Sequence, residues 1–330
     1  MAKVTISAAS DRFLGSVKMA RAENTARTYG NALAVFMRVL QEHWIEPAIA
    51  PAADLKEDAV IWLAAYLKTF APATERLYLQ AVSAFYHFLA AERLSDVNLP
   101  RLQLLIRQRG RRPGIRLPQF PVNDIVRVLD FFTSIANVAG VSEAEQLRAL
   151  RDRAFLLTLA DTGLRVHEAC ALRRGDIDWN EGRAVIIGKG DKQAVVRFST
   201  RAMSALKEYL TQRAALDGGS GKQLSSLPLF ARHDRGAGKK IKPITTATGR
   251  DLVAERVRQA LGEEAEGHIT PHSFRHYFVT TVLRGSGNLK LAQALARHSN
   301  IQVTQRYAHL SDDELDKGYH EIFEKPAGDR

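Results

Sequence analysis

Residues 101–118 divide this chain in two. Arg101, Arg107, Arg109, Arg111, Arg112 and Arg116 stand there with no acidic residue among them, and Pro113, Gly114 and Pro118 break regular structure over the same stretch. Proline fixes φ and removes an amide donor, so neither a helix nor a central strand runs through such a segment. With 330 residues in all, the chain on either side is long enough to bury a core of its own. The expected organisation is a helical domain over 1–106, a basic linker over 107–118 and a second domain over 119–330. A run of arginines is ordinarily a solvated segment. A flexible tether would be richer in glycine and serine, however, and guanidinium forks match phosphate oxygens. Arg107, Arg109, Arg111, Arg112 and Arg116 are therefore candidate contacts to a nucleic-acid backbone.

The charge balance agrees with such a partner. The formal net charge is +11, and each neutralised phosphate releases counterions and adds affinity. The single cysteine, Cys170, excludes an internal disulfide framework and a cysteine-rich zinc site; within Ala169-Cys170-Ala171-Leu172 it reads as a small core residue. No run approaches a membrane span, and Met1-Ala2-Lys3-Val4 does not open a signal peptide. A soluble cytoplasmic protein with no membrane partner is the expectation.

The first hundred residues read as helices. Asn24 or Thr25 can cap one that carries Tyr29, Leu33, Phe36 and Leu40 on one face. A shorter helix over 58–70 carries Trp62 and Leu63, and Thr74 can cap a third with Tyr78, Val82, Phe85 and Leu89 at helical spacing. These aromatics read as core packing. The second part is mainly helical with one β insertion: strands over 177–179, 183–187 and 194–198, joined by turns at 180–182 and 188–192. Helices follow over 200–215 and 248–261, and 217–222 reads as an exposed glycine-rich loop. The fold class is mainly α with a small antiparallel sheet.

Chemistry concentrates in Thr270-Pro271-His272-Ser273-Phe274-Arg275-His276. Thr270 is a good N-cap and Pro271 suits the first helical position, which puts His272 in the first turn and Arg275 one turn on. Phe274, Phe278 and Val282 form a different stripe that faces the core. A helix start with unpaired N–H groups suits a phosphate oxygen. Arg165 follows Thr162-Gly163, a turn ending the apolar helix of Phe155, Leu156 and Leu157, and Glu168 is placed to orient its guanidinium. Lys189 sits at a hairpin tip, His298 follows downstream, and Asn300 can cap the short helix that leads to Tyr307. Cations around a phenol are an arrangement for holding a phosphodiester and attacking it. His272 and His276 also have the i, i+4 spacing of a zinc helix, but Ser273 stands where a metalloprotease carries its glutamate base.

The boxes Thr162-Gly163-Leu164-Arg165, His272-Ser273-Phe274-Arg275-His276 and His298-Ser299 through Tyr307 resemble the signature of the tyrosine recombinases, the phage-integrase family. The hairpin Gly188-Lys189-Gly190 and Ser83-Ala84-Phe85-Tyr86 match that pattern too, and the layout is most similar to the Xer-like site-specific recombinases. The resemblance implies a SAM-like core-binding domain followed by an α+β catalytic domain, on opposite faces of duplex DNA. It implies that Arg165 and Arg275 clamp the scissile phosphate, that His272 assists proton transfer with Tyr307, and that His298 donates another hydrogen bond. Lys189, or Lys192 on the same turn, would protonate the departing 5′ oxygen, and Tyr307 would be the nucleophile. No cofactor and no metal are implied. The implied partner is double-stranded DNA with specific recombination sites. A monomer in solution would become a homotetramer on two sites, passing through a Holliday junction, with a second recombinase or accessory protein possible. The segment 311–323 would be an amphipathic helix docking on a neighbouring protomer. Two departures stand out. His167 precedes Glu168, where a small residue is usual, and Ala296-Arg297 replaces Leu-Gly before His298; Arg297 would either add a phosphate contact or, the favoured reading, simply be exposed. The competing readings are a DNA-binding regulator that has lost catalysis and a type IB topoisomerase.

Overall fold

The computed structural model describes residues 4–111, 122–135, 142–187, 193–234, 241–265, 267–298 and 300–305. The chain forms two compact units, Met1–Arg116 and Leu117–Arg330.

In the first unit, α1 (Ile6–Ala20), α2 (Glu23–Glu42), α3 (Ala59–Tyr66), α4 (Pro72–Ala91) and α5 (Leu99–Arg109) enclose a core of Phe13, Leu33, Phe36, Leu40, Val82, Phe85, Tyr86 and Leu89. Tyr86 is fully buried, and its hydroxyl is satisfied by donating to the Lys56 carbonyl at 2.7 Å. Helix α2 starts ahead of its expected caps, and Asn24 instead accepts from Arg27 inside the helix at 2.8 Å. Helix α4 starts at Pro72 rather than after Thr74, because proline at the first position leaves no amide unpaired there.

The expected basic linker needs correction at its near end. Arg107 and Arg109 belong to the last turn of α5, where their charge opposes the negative end of the helix dipole. Arg111 is anchored inward. Its amide reaches Glu75 at 2.8 Å, its guanidinium donates to the same carboxylate, and Nη2 reaches the Leu67 and Phe70 carbonyls. Glu75 is fully buried and also takes Lys68 at 2.8 Å. Burial alone would raise its carboxyl, but these donors hold it below the ordinary value. Arg112 and Arg116 lie outside the described residues.

The second unit contains α6 (Val122–Ile135), α7 (Glu143–Thr162), α8 (Val166–Ala171), β1 (Ile177–Asp178), β2 (Arg183–Ile187), β3 (Gln193–Arg197), α9 (Thr200–Gln212), α10 (Ala214–Gly218), α11 (Thr246–Leu261), α12 (Pro271–Ser286), α13 (Leu289–Ala296) and α14 (Ile301–Gln305). It is mainly helical with one three-stranded antiparallel sheet in the order β1-β2-β3. Ala184 pairs with Val196 and Ile187 with Gln193, so Ala184 and Ile186 face the core while Val185 and Ile187 face solvent. Helix α7 is buried around most of its circumference from Arg151 and Asp152 onward, those two included, and lies at the centre, packed by α6, α9 and α12. Cys170 is buried in this core, and burial pushes its thiol up to about 12. The expected loop at 217–222 begins later than its composition suggests. Asp217 is buried at the end of α10 and pairs with Arg213, itself fully buried, at 2.9 Å. No described helix is long and apolar enough to cross a membrane.

Candidate active site

Three turns of the second unit converge, and each is fixed by local chemistry. Helix α7 ends in Gly163 with φ 60°, a left-handed cap that glycine adopts without strain. A side chain there would overlap the ring of Phe278 from α12. Thr162 closes the turn by accepting from the Leu164 amide at 3.2 Å. Arg165 then stands as the N-cap residue of α8, and Glu168 reaches back to its amide at 2.8 Å and to its Nη1 at 3.0 Å. Burial would raise the Glu168 carboxyl; the Arg165 amide and the charges of Arg297 and Arg165 hold it below the ordinary value.

The second turn is the start of α12. Thr270 and Ser273 form a capping box, with the Thr270 amide donating to Ser273 Oγ at 3.0 Å and Pro271 in the first position. His272 is exposed, whereas Arg275 is only 3 % exposed. The Arg275 Nη1 donates to the Gly163 carbonyl and Nη2 to the Ala296 carbonyl. Burial, then the charges of Arg165 and Arg297, lower its guanidinium to about 10, so it remains a cation at neutral pH. Of the expected core stripe, Phe274 is fully buried and Phe278 and Val282 are half-buried.

The third turn links α13 to α14. His298 accepts a position set by its amide bond to Gln293 and by Gln293 Nε2 on its carbonyl, both 3.1 Å. Its Nδ1 lies 2.9 Å from Oγ1 of Thr304, which is fully buried. That partner directs the other ring nitrogen away from the packed side. Burial, followed by the charges of Arg275 and Arg165, lowers His298 to about 4, and the same causes lower His272. His276 packs edge-on against His272 with ring centroids 4.2 Å apart and is lowered to about 4, mainly by burial. Both candidate histidines are thus neutral at pH 7, beside cations that hold their charge.

The structure therefore gathers Arg165, Glu168, His272, Arg275 and His298 at one place. Lys189 and Lys192, between the paired ends Ile187 and Gln193, lie outside the described residues, as does Tyr307, two positions beyond the end of α14. Two members escaped the sequence reading. Thr304 carries no signal beyond its six-residue distance from His298. Arg297, expected to be exposed, has a side chain only 13 % exposed and pairs with Glu168 at 3.0 Å. Its left-handed backbone, φ 57°, turns the side chain inward. Among the described residues, no cluster of metal-binding side chains is found.

The first unit offers a second feature. Arg76, Gln80 and Ser83 on α4, with Gln103 and Arg107 on α5, line a groove of about 650 Å3. Their spacings of three and four residues place each set on one helix face, a pattern present in the sequence beside the core stripe.

The Phage integrase family model matches residues 132–314. A tyrosine recombinase XerC of Bacillus pumilus (strain SAFR-032) is 33 % identical over 264 residues, covering 80 % of this chain and 79 % of that protein. One from Bacillus subtilis (strain 168) is 30 % identical over 80 % of this chain and 79 % of its own length. Among solved structures, the XerH site-specific recombinase bound to palindromic difH substrate, a post-cleavage complex, aligns with a TM-score of 0.65 at 19 % identity. That alignment covers 91 % of this chain and 80 % of that one.

Proposed function

The chain belongs to the phage integrase family, the tyrosine recombinases, and from that premise we propose how its residues divide the work of breaking and rejoining DNA. It is a site-specific recombinase whose strand transfer passes through a phosphotyrosine. Tyr307 is the nucleophile. Arg165 and Arg275 hold the non-bridging oxygens of the scissile phosphate. His272 hydrogen-bonds the phosphate and takes the phenolic proton, His298 donates a further hydrogen bond, and Lys189 or Lys192 protonates the 5′ oxygen that leaves. Glu168 orients Arg165.

The observation that carries this reading is Arg275. One buried guanidinium bonds the carbonyls of both neighbouring turns, so the turns bearing Arg165 and His298 are drawn around the start of α12. The charge states fit as well. A free phenol has a pKa of about 10, so attack at neutral pH needs an acceptor and positive charge where the phosphorane gathers negative charge. A neutral imidazole can accept that proton, and His272 is held below its ordinary value. Exchange of one phosphodiester for another conserves bond energy, so the step calls for no ATP.

The first unit, a SAM-like core-binding domain over 1–106, grips the duplex through the α4–α5 groove, and Arg112 and Arg116 track its backbone. Four protomers act on two sites through a Holliday junction, in the cytoplasm on the nucleoid, in replicon dimer resolution or element integration. The test is covalent capture. Tyr307→Phe protein keeps its affinity for the DNA recovered on the wild-type protein and forms no adduct; an adduct formed by the phenylalanine protein would refute the assignment.

A further inference from the structure

The site contains three guanidinium groups where a two-arginine clamp needs two. The third is Arg297. Its Nη2 lies 3.0 Å from Glu168 Oε2 and 3.4 Å from the Gly163 carbonyl. The other oxygen of that carboxylate holds Arg165 Nη1 at 3.0 Å, and the same carbonyl receives Arg275 Nη1. Arg297 therefore touches both acceptors that fix the other two arginines. Its backbone adopts φ 57° and ψ 40°, a region that disfavours any residue with a Cβ, and its Nε is buried without a partner. The backbone conformation caps the end of α13, the Arg297 amide donating to the Ala294 carbonyl at 3.1 Å, but the inward side chain adds nothing to the packing of that helix, which Ala292 and Ala296 supply. The charge arithmetic points the same way: three cations face the one buried carboxylate of Glu168, so Arg165 is only partly neutralised by it.

We propose that Arg297 is a positioning residue for strand cleavage: it ties the carboxylate behind Arg165 to the carbonyl behind Arg275 and so sets the spacing and net charge of the phosphate clamp. The proposal rests on the reading of Arg165 and Arg275 as phosphate ligands. Arg297 needs no contact with DNA to act. A shift of about 1 Å in one clamp arginine suffices to slow a step that depends on alignment by about a hundredfold.

The test uses the full chain and a duplex of the site recovered on Tyr307 of the wild-type protein. The cleaved position carries either the natural phosphate or a methylphosphonate, which lacks one charged oxygen and so depends less on a correctly spaced pair of cations. Arg297→Gly suits the left-handed backbone, and Arg297→Lys keeps the charge without the fork. In Arg297→Gly, melting temperature should stay within about 4 °C of wild type and DNA affinity within about twofold, while single-turnover cleavage of the phosphate slows by about tenfold or more. Cleavage of the methylphosphonate should slow much less, and Arg297→Lys should recover part of the loss. A wild-type rate in Arg297→Gly, an equal slowing on both substrates, or a loss that follows melting temperature or affinity would overturn the proposal. Arg165→Ala, run in parallel, separates the two levels. If it cleaves normally, the clamp reading fails; if it is inactive while Arg297→Gly is not impaired, only the positioning role fails.

Discussion

At the scale of single residues, the site depends on backbone atoms as much as on its cations. The Gly163 carbonyl accepts from Arg275, and Gly163 holds φ 60° with the Phe278 ring where a Cβ would stand. Gly163→Ala should therefore destabilise the protein by about 2 kcal/mol or more, from the strained φ and the overlap together. It should also displace the carbonyl that orients Arg275, so cleavage should fall at temperatures where the variant is fully folded. Urea titration beside a cleavage assay checks both, and a variant of normal stability and activity would show that the turn tolerates the methyl group. Arg165, His272 and Arg275 were legible in the sequence because each lies at or one turn beyond a helix start that capping residues announce, whereas His298 was legible only through the resemblance of the box from His298 to Tyr307. Arg297 was not. A residue type does not reveal a left-handed φ unless it is glycine or asparagine, and that conformation is what turns Arg297 from solvent to Glu168.

At the scale of elements, periodicity located α2, α3, α4 and the sheet but not their ends or their pinning. Pro72 sets the start of α4 against the pull of Thr74, and the stripe of α5, Leu99, Leu102, Leu105 and Ile106, is interleaved with arginines and runs straight into the Pro113–Gly114 break, so the segment reads as linker. The ion pairs that pin elements are equally hidden, because a charged residue in a glycine-rich stretch reads as solvated. Asp217 shows the cost of that rule. It lies at 1 % exposure between Arg174, at 2.5 Å, and the fully buried Arg213, whose Nη1 and Nη2 also donate to the Leu229 and Pro228 carbonyls. Asp217→Asn leaves a buried guanidinium without its counter-charge and should destabilise the catalytic unit by about 3 kcal/mol. The loss should appear as a lower denaturant midpoint with an unchanged slope. Replacing Asp234, an exposed acid paired with Arg232 at 2.8 Å, should shift the midpoint far less. Equal shifts would mean that burial is not what gives the Asp217 pair its weight.

For the whole molecule, acid and salt probe different properties. Burial lowers His233 to about 3 and His276 and His298 to about 4, against an ordinary value of 6.5. Above 6.5 these groups are neutral in both states and contribute no pH dependence. As pH falls from 6.5 toward 4, the unfolded chain binds protons that the folded chain refuses, so stability declines across that window. The lowered carboxylates Glu57, Glu75 and Glu168 add their loss only further down, from about their ordinary 4.5. His233→Gln should flatten the decline from 6.5 down to about 3, with the carboxylate loss remaining below about 4.5, as read by thermal melts across pH; an unchanged slope would remove His233 from the account. Salt addresses the charge of +11 and the two polar faces around the α4–α5 groove. If the groove tracks a phosphate backbone, affinity for duplex DNA should fall by about a thousandfold or more between 50 and 200 mM salt, as expected for some six or more neutralised phosphates. Arg76→Ala should weaken binding about equally on cognate and unrelated duplexes and lower the slope of log affinity on log salt by about one. A slope unchanged by that substitution would remove Arg76 from the phosphate-contacting surface. A loss confined to the cognate duplex would instead make Arg76 a reader of bases, which the groove geometry alone does not require.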